Sequence, residues 1–221
     1  NGGAAPSSGV TNVTTIYSND VVFAALKTDG SVVVWGNSGY GGDASAVQND
    51  LINVTTIYSN AYAFAALKTD GSVVAWGDST YGGTAPSSGL TNVQTICSTL
   101  QAFAALKTDG SVVAWGETTR GGNAPSGLTN VQTIYSTSYA FAALKTDGSV
   151  VAWGDSGNGG TAPSSGLTNV QTIYSTGSAF AALKTDGSVV AWGDCYECDI
   201  SAPSGLTNVQ TIYSTTCAFA A

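Results

Sequence analysis

An all-β fold, a β-propeller of four-stranded blades with about 39 residues per blade, is what this sequence predicts, and three observations predict it. Trp35, Trp76, Trp115, Trp153 and Trp192 recur at intervals of 41, 39, 38 and 39 residues. Each stands in the same phrase, of which residues 141–154, Phe-Ala-Ala-Leu-Lys-Thr-Asp-Gly-Ser-Val-Val-Ala-Trp-Gly, are typical. The runs around each Trp are short and rich in β-branched and aromatic residues, and they lack the 3.6-residue apolar period of a helical repeat. Finally, an Asp-Gly pair separates two such runs in five units, which is a hairpin signal. One repeat domain spans 1–221, with units at approximately 1–36, 37–77, 78–116, 117–154, 155–193 and 194–221, the last incomplete.

Within a unit the elements follow in order. Residues 169–175, Asn-Val-Gln-Thr-Ile-Tyr-Ser, form strand A, because their side chains suit a pleated, half-buried surface. Strand B is 179–184, Ala-Phe-Ala-Ala-Leu-Lys, whose alanines imply tight space of the kind found near a propeller axis. Asp186-Gly187 then closes a two-residue hairpin, since Asp-Gly accepts the positive φ angles such a turn requires. Strand C is 188–192, Ser-Val-Val-Ala-Trp. A short strand D around Thr161-Ala162-Pro163 is expected at the outer edge, where proline is tolerated.

Composition narrows the function. The charge is −8, and five of the six basic residues (Lys27, Lys68, Lys107, Lys145, Lys184) occupy one repeat-equivalent position, with Arg120 the sixth. Nucleic-acid binding needs a clustered basic patch, and an anionic membrane surface needs the same, so both are excluded as partners. No segment approaches the roughly 20 apolar residues that span a bilayer. Beginning at Asn1, the chain reads as a processed product or a window of a longer polypeptide. It contains no histidine, which removes the commonest general base and metal ligand, so no enzyme and no cofactor is expected. The recurring Asp29, Asp70, Asp109, Asp147 and Asp186 read as turn residues, and each Trp-Gly pair as core packing.

The units differ from one another in two stretches. The A–B connection reads Asn19-Asp20-Val21, Asn60-Ala61-Tyr62, Leu100-Gln101, Ser138-Tyr139, Gly177-Ser178 and Thr216-Cys217. The connection after strand C reads Gly39-Tyr40, Thr80-Tyr81, Thr119-Arg120, Gly157-Asn158 and Cys195-Tyr196-Glu197-Cys198. Antiparallel strands put both connections on one face of the disc. A rigid scaffold with varied loops bearing Tyr and Arg has the layout of a recognition surface. The expected binding residues are therefore Asn19, Asp20, Tyr40, Asn60, Tyr62, Tyr81, Leu100, Gln101, Arg120, Tyr139, Asn158 and Tyr196.

Four cysteines occur. Cys97 replaces the Tyr that ends strand A elsewhere and is expected as a buried free thiol. Cys195, Cys198 and Cys217 fall together on the variable face, so a disulfide among them is expected, with zinc as the alternative. Two N-glycosylation sequons begin at Asn12 and Asn53, on the face opposite the variable one. Together these features point to an extracellular or cell-surface location.

The run Ala-Leu-Lys-Thr-Asp-Gly-Ser-Val-Val-Ala-Trp-Gly-Asp-Ser-x-Tyr-Gly-Gly at 66–83 resembles the repeat of the regulator of chromosome condensation family. It looks closer still to the short-repeat bacterial members, including the propeller-type β-lactamase inhibitor protein. The resemblance covers the whole chain and implies a closed ring of four-stranded blades, often seven, whose loops bind another protein. Two features depart from the family: Gly82-Gly83-Thr84-Ala85-Pro86 stands where Gln-Leu-Gly often follows the blade glycine, and the basic chromatin-contacting features of nuclear members are missing. The second departure speaks against exchange-factor activity on a small GTPase.

The reading is thus a non-enzymatic module presenting a protein- or glycan-binding face, part of a larger extracellular or surface protein. The alternative is a structural repeat that packs against copies of itself in a filament or surface assembly. Repeat arithmetic gives six blades, with seven as the alternative. The sequence ends at Ala221 inside a strand B and begins at Asn1-Gly2-Gly3, equivalent to Asn158-Gly159-Gly160. The natural chain is expected to continue, with residues 1–6 supplying the outer strand of a shared closing blade.

Overall fold

The computed structural model describes residues 3–194 and 206–221. Five antiparallel sheets of three strands follow one another along the chain, and a two-stranded sheet comes after them. With each structural unit taken as one sheet and the turn that follows its strand C, the first contains β1 (Val13–Ser18), β2 (Val22–Lys27) and β3 (Val32–Gly36), and the second β4 (Val54–Ser59), β5 (Ala63–Lys68) and β6 (Val73–Gly77). The third contains β7 (Val93–Ser98), β8 (Ala102–Lys107) and β9 (Val112–Gly116), and the fourth β10 (Val131–Ser136), β11 (Ala140–Lys145) and β12 (Val150–Gly154). β13 (Val170–Ser175), β14 (Ala179–Lys184) and β15 (Val189–Gly193) form the fifth, and β16 (Tyr213–Ser214) and β17 (Phe219–Ala220) belong to the sixth.

Strands A, B and C therefore lie where the repeat predicts them, but two local expectations are corrected. The expected strand D around 161–163 is not formed: the segment is irregular, and the sheet ends at strand C. Proline offers no ladder donor, and the Ser and Gly after it favour turns, so nothing there sustains a fourth ladder. The Asp-Gly turn is also longer than two residues. Lys184 N–H donates to Ser188 C=O at 3.0 Å, enclosing three loop residues, and Gly187 takes a left-handed φ of 76°. This is the three-residue hairpin, a type I turn followed by a left-handed residue, in which glycine carries the positive φ.

The core lies between consecutive units. Strand B alternates its side chains across a sheet buried on both faces, which explains its uninterrupted apolar run. Ala63, Ala65 and Leu67 of the second unit pack against Ile96, Phe103, Ala105 and Trp115 of the third, and the arrangement repeats down the chain. One face of each sheet is thus small and receives the large aromatic face of the next. Phe103 stacks on Trp115 with centroids 5.2 Å apart, and the Trp115 indole N–H donates to the Gly82 carbonyl of the preceding unit at 3.0 Å. The inner edge belongs to strand A, since β1, β4, β7, β10 and β13 meet one another in succession. Strand B is the middle strand, and its alanines reflect the thin spacing between sheets instead of proximity to an axis.

Candidate functional site at the variable face

The two variable connections do share one face, and named bonds tie them together. In each unit the A–B turn begins with Asn or Thr, and in the first four units that side chain holds the loop after strand C. Asn60 Nδ2 donates to the Tyr81 carbonyl at 2.7 Å, while Asn60 Oδ1 accepts the backbone N–H groups of Tyr62 and Ala63, each at 2.8 Å. Asn19 does the same toward Tyr40 and Val21, and Thr99 and Thr137 hold Arg120 and Asn158 through their hydroxyls. Asn60 is buried and fully engaged, so it builds the turn and is not presented; Asn19 performs the same task half-buried. Asn158 likewise turns inward, its amide bonding Asp155 Oδ1 at 2.8 Å.

The presented residues gather between units. Tyr40, from the loop after strand C of the first unit, stacks on Tyr62 of the second with centroids 5.3 Å apart, and Tyr62 tilts against Tyr81 at 4.3 Å. Arg120 occupies the place of Tyr40 two units on. Its guanidinium lies 4.4 Å from the centroid of the Tyr139 ring and donates to Asp155 Oδ2 at 2.6 Å. Leu100 projects with 43% of its surface exposed, beside the half-buried Gln101. Asp20 is exposed. Tyr196, Cys195 and Cys198 lie outside the described residues. Cys217 is exposed and free, so any bridge confined to Cys195 and Cys198 also falls outside them.

The A–B turns also line a cavity of about 400 Å³, with Asn19, Asp20, Ala61, Leu100, Ser138 and Gly177 in its wall, one or two residues from each of five units. Around it runs a chain of backbone hydrogen bonds between equivalent positions: Ala61 N–H to Leu100 C=O, Leu100 to Ser138, Ser138 to Gly177 and Gly177 to Thr216, at 2.8–3.2 Å. Sequence reasoning missed this relay, because a backbone bond between units leaves no mark on residue type.

It also missed the acidic residue that opens the short 3-10 turn after strand C. Asp78 accepts the Thr80 N–H at 2.8 Å and Asp155 the Asn158 N–H at 3.1 Å. The recurrence of Asn37, Asp78, Glu117, Asp155 and Asp194 at this position was the available signal. These carboxylates leave the face acidic: among the described residues it carries Asp20, Asp78, Glu117, Asp155 and Asp194 against Arg120 alone.

The opposite face differs. All five lysines end strand B there, four of them within 3.6–4.0 Å of the turn aspartate two residues on. Each of these aspartates is held below its ordinary value, first by the hydroxyl and then by the N–H of the following Ser. Such turn bonding accounts for the recurring carboxylates without catalysis. Asn12 and Asn53 are exposed on this face at left-handed φ of 58°, a conformation shared by Asn92, Asn130, Asn169 and Asn208. Their recurrence has a backbone cause, because asparagine tolerates that region better than most residues. Cys97 is half-buried and free, its thiol donating to Ile134 C=O at 3.3 Å, and burial pushes its pKa up to about 11.

No family model matches the sequence, and no curated protein does. Solved structures do match in shape. Prp20p of Saccharomyces cerevisiae, the yeast RCC1, superposes with a TM-score of 0.56 at 18% identity over 87% of this chain and 59% of its own. Human WBSCR16 gives 0.55 at 20% identity, covering 82% of this chain and 61% of its own. The ectodomain of the receptor kinase CR4 from Physcomitrella patens gives 0.58 at 18%, covering 92% and 56%. This chain therefore spans about 56–61% of the length of these proteins. Its propeller-like architecture of repeated sheets is similar in fold to that of RCC1.

Proposed function

We propose that the chain is a non-enzymatic recognition module that binds another protein through its variable face. The observation that carries this reading is the separation of roles within each unit. Strands and turns of the opposite face repeat with little change, while the differing side chains collect on one acidic, tyrosine-bearing surface around a cavity. Large, rigid aromatic side chains make good interface anchors at low entropic cost. RCC1-type folds engage proteins: Prp20 was solved bound to Kap60, and its binding to Gsp1p and histones has been described. A closed ring of six blades, with seven as the alternative, belongs to the same proposal, supported by the single cavity that turns from five units share. Sequons, cysteine placement and scarce charge favour an extracellular or surface setting, with glycans on the face away from the partner.

Photo-crosslinking in the source organism tests the reading. A benzoylphenylalanine in place of the exposed Leu100 is expected to capture discrete proteins, and one in place of the exposed Thr108 of the opposite face is expected to capture none. The reverse pattern would end the proposal. A second reading is a structural repeat that packs against copies of itself, and the near-identity of the repeated units favours it. Sedimentation of native material separates a discrete particle from a polymer.

A further inference from the structure

We propose that the groove between the first and second units receives an arginine or lysine side chain of the protein partner, on the Tyr40–Tyr62 pair with Asp20 as counter-ion. This rests on the recognition reading above and names the chemistry of its occupant. The groove has a volume of about 330 Å³ and is lined by Asp20, Val21, Asn37, Tyr40, Ala61 and Tyr62. A guanidinium or ammonium group fits such a space, and the walls supply a π face and a carboxylate, the two groups that hold a cation at a protein surface.

The chain itself contains the precedent. In the fourth unit, Tyr139 and Asp155 hold Arg120, and the Asp155 N–H is anchored on the Tyr139 carbonyl at 3.0 Å. The second unit repeats that frame with Tyr62 and Asp78, the Asp78 N–H on the Tyr62 carbonyl at 3.1 Å. Here Tyr40 stands where Arg120 would, so the frame keeps its carboxylate and gains a second ring, but it has no cation of its own among the described residues. Tyr40 is 36% exposed, leaving ring surface for an incoming group. The charge around it points the same way. Asp20 lines the groove, Asp78 is tied to Tyr62 through its backbone N–H, and the lysines of the chain are all on the opposite face, four of them paired with their own turn aspartates. A neutral sugar would also stack on tyrosine, but it would leave these two carboxylates without a counter-charge.

The test uses the full chain with labelled tyrosine rings followed by NMR, at about 0.15 M salt so that long-range attraction is screened. The probe is the peptide acetyl-Gly-Arg-Gly-Arg-Gly-amide, its control the same peptide with citrulline, and a second control a chito-oligosaccharide. Arginine peptide is expected to shift the Tyr40 and Tyr62 rings saturably, and citrulline peptide is not. Asp20→Asn and Tyr40→Ala should each weaken the arginine peptide about three- to tenfold. Asp20→Asn alters an exposed side chain, so it keeps the test alive if Tyr40→Ala disturbs the fold. Equal shifts with citrulline, no shift with arginine, or shifts by the oligosaccharide alone would overturn the proposal, the last assigning the groove to a glycan. If the arginine peptide fails while crosslinks still form from position 100, only this assignment falls.

Discussion

At the scale of single residues, the glycines after strand C are as constrained as any core side chain. Gly82 has a φ of 99°, and a Cβ there would sit 2.8 Å from the Phe103 ring of the next unit. Its carbonyl also receives the Trp115 indole. Gly82→Ala therefore combines backbone strain with overpacking, and a loss of about 1–3 kcal/mol is expected in urea denaturation. A comparable substitution of the exposed Gly127, whose Cβ would meet nothing within 4 Å, isolates the backbone cost alone. The periodicity of Trp-Gly made the aromatic half of this contact legible in the sequence. The glycine half was legible only as a repeat, because what excludes a side chain there is a ring 21 residues away, in another unit.

At the scale of elements, strands A, B and C were readable because each carries its own signature: β-branched residues, a buried apolar run, and a Trp after paired valines. Strand D failed because a fourth strand needs a ladder partner with free N–H groups, and Thr-Ala-Pro followed by Ser and Gly provides turns. The hairpin turn was placed correctly and given the wrong length, since Asp-Gly fits both a two-residue loop and the three-residue loop adopted. That loop makes a pH prediction. The turn aspartates titrate below 3.8 in the folded protein, first because the Ser hydroxyl bonds the carboxylate. Their folded pKa is depressed, so their contribution to stability is present above pH 3.8 and is lost as pH falls through the folded values. Ser149→Ala removes the hydroxyl donor from Asp147, which accepts it at 2.6 Å. An NMR titration of the Asp147 carboxyl carbon should show its pKa moving up toward 3.8 in that variant, with the other four turns unchanged. An unmoved Asp147 would mean that the hydroxyl is not the cause.

At the scale of the molecule, the candidate site was legible as a face but not as a set of contacts. The comparison of units found the variable positions. It did not show that Asn19 and Asn60 are consumed in building turns, because Asn at a loop reads alike whether it faces a partner or its own backbone. The peptide relay around the cavity gives a molecular-scale prediction. The amides of Ala61, Leu100, Ser138 and Gly177 donate to the next unit, whereas that of Asp20 has no such bond among the described residues. Hydrogen exchange should be slow at the first four and fast at Asp20. Uniformly fast exchange at all five would show that the units do not hold one another at the mouth.

The relay also decides how such a mouth can change over evolution. Its N–H groups point along the rim to the next unit and its C=O groups receive the preceding one, so at Leu100, Ser138 and Gly177 neither group is offered to a guest in the cavity. Any discrimination between guests would then fall to the side chains at one position per unit: Asp20, Ala61, Leu100, Ser138, Gly177 and, beyond the cavity lining, Thr216. These residues differ in charge, size and polarity although five of the six peptide groups serve the same relay. The rim thus separates what is constant from what varies: its backbone bonds recur between units of different sequence, and each unit places one differing side chain at the opening.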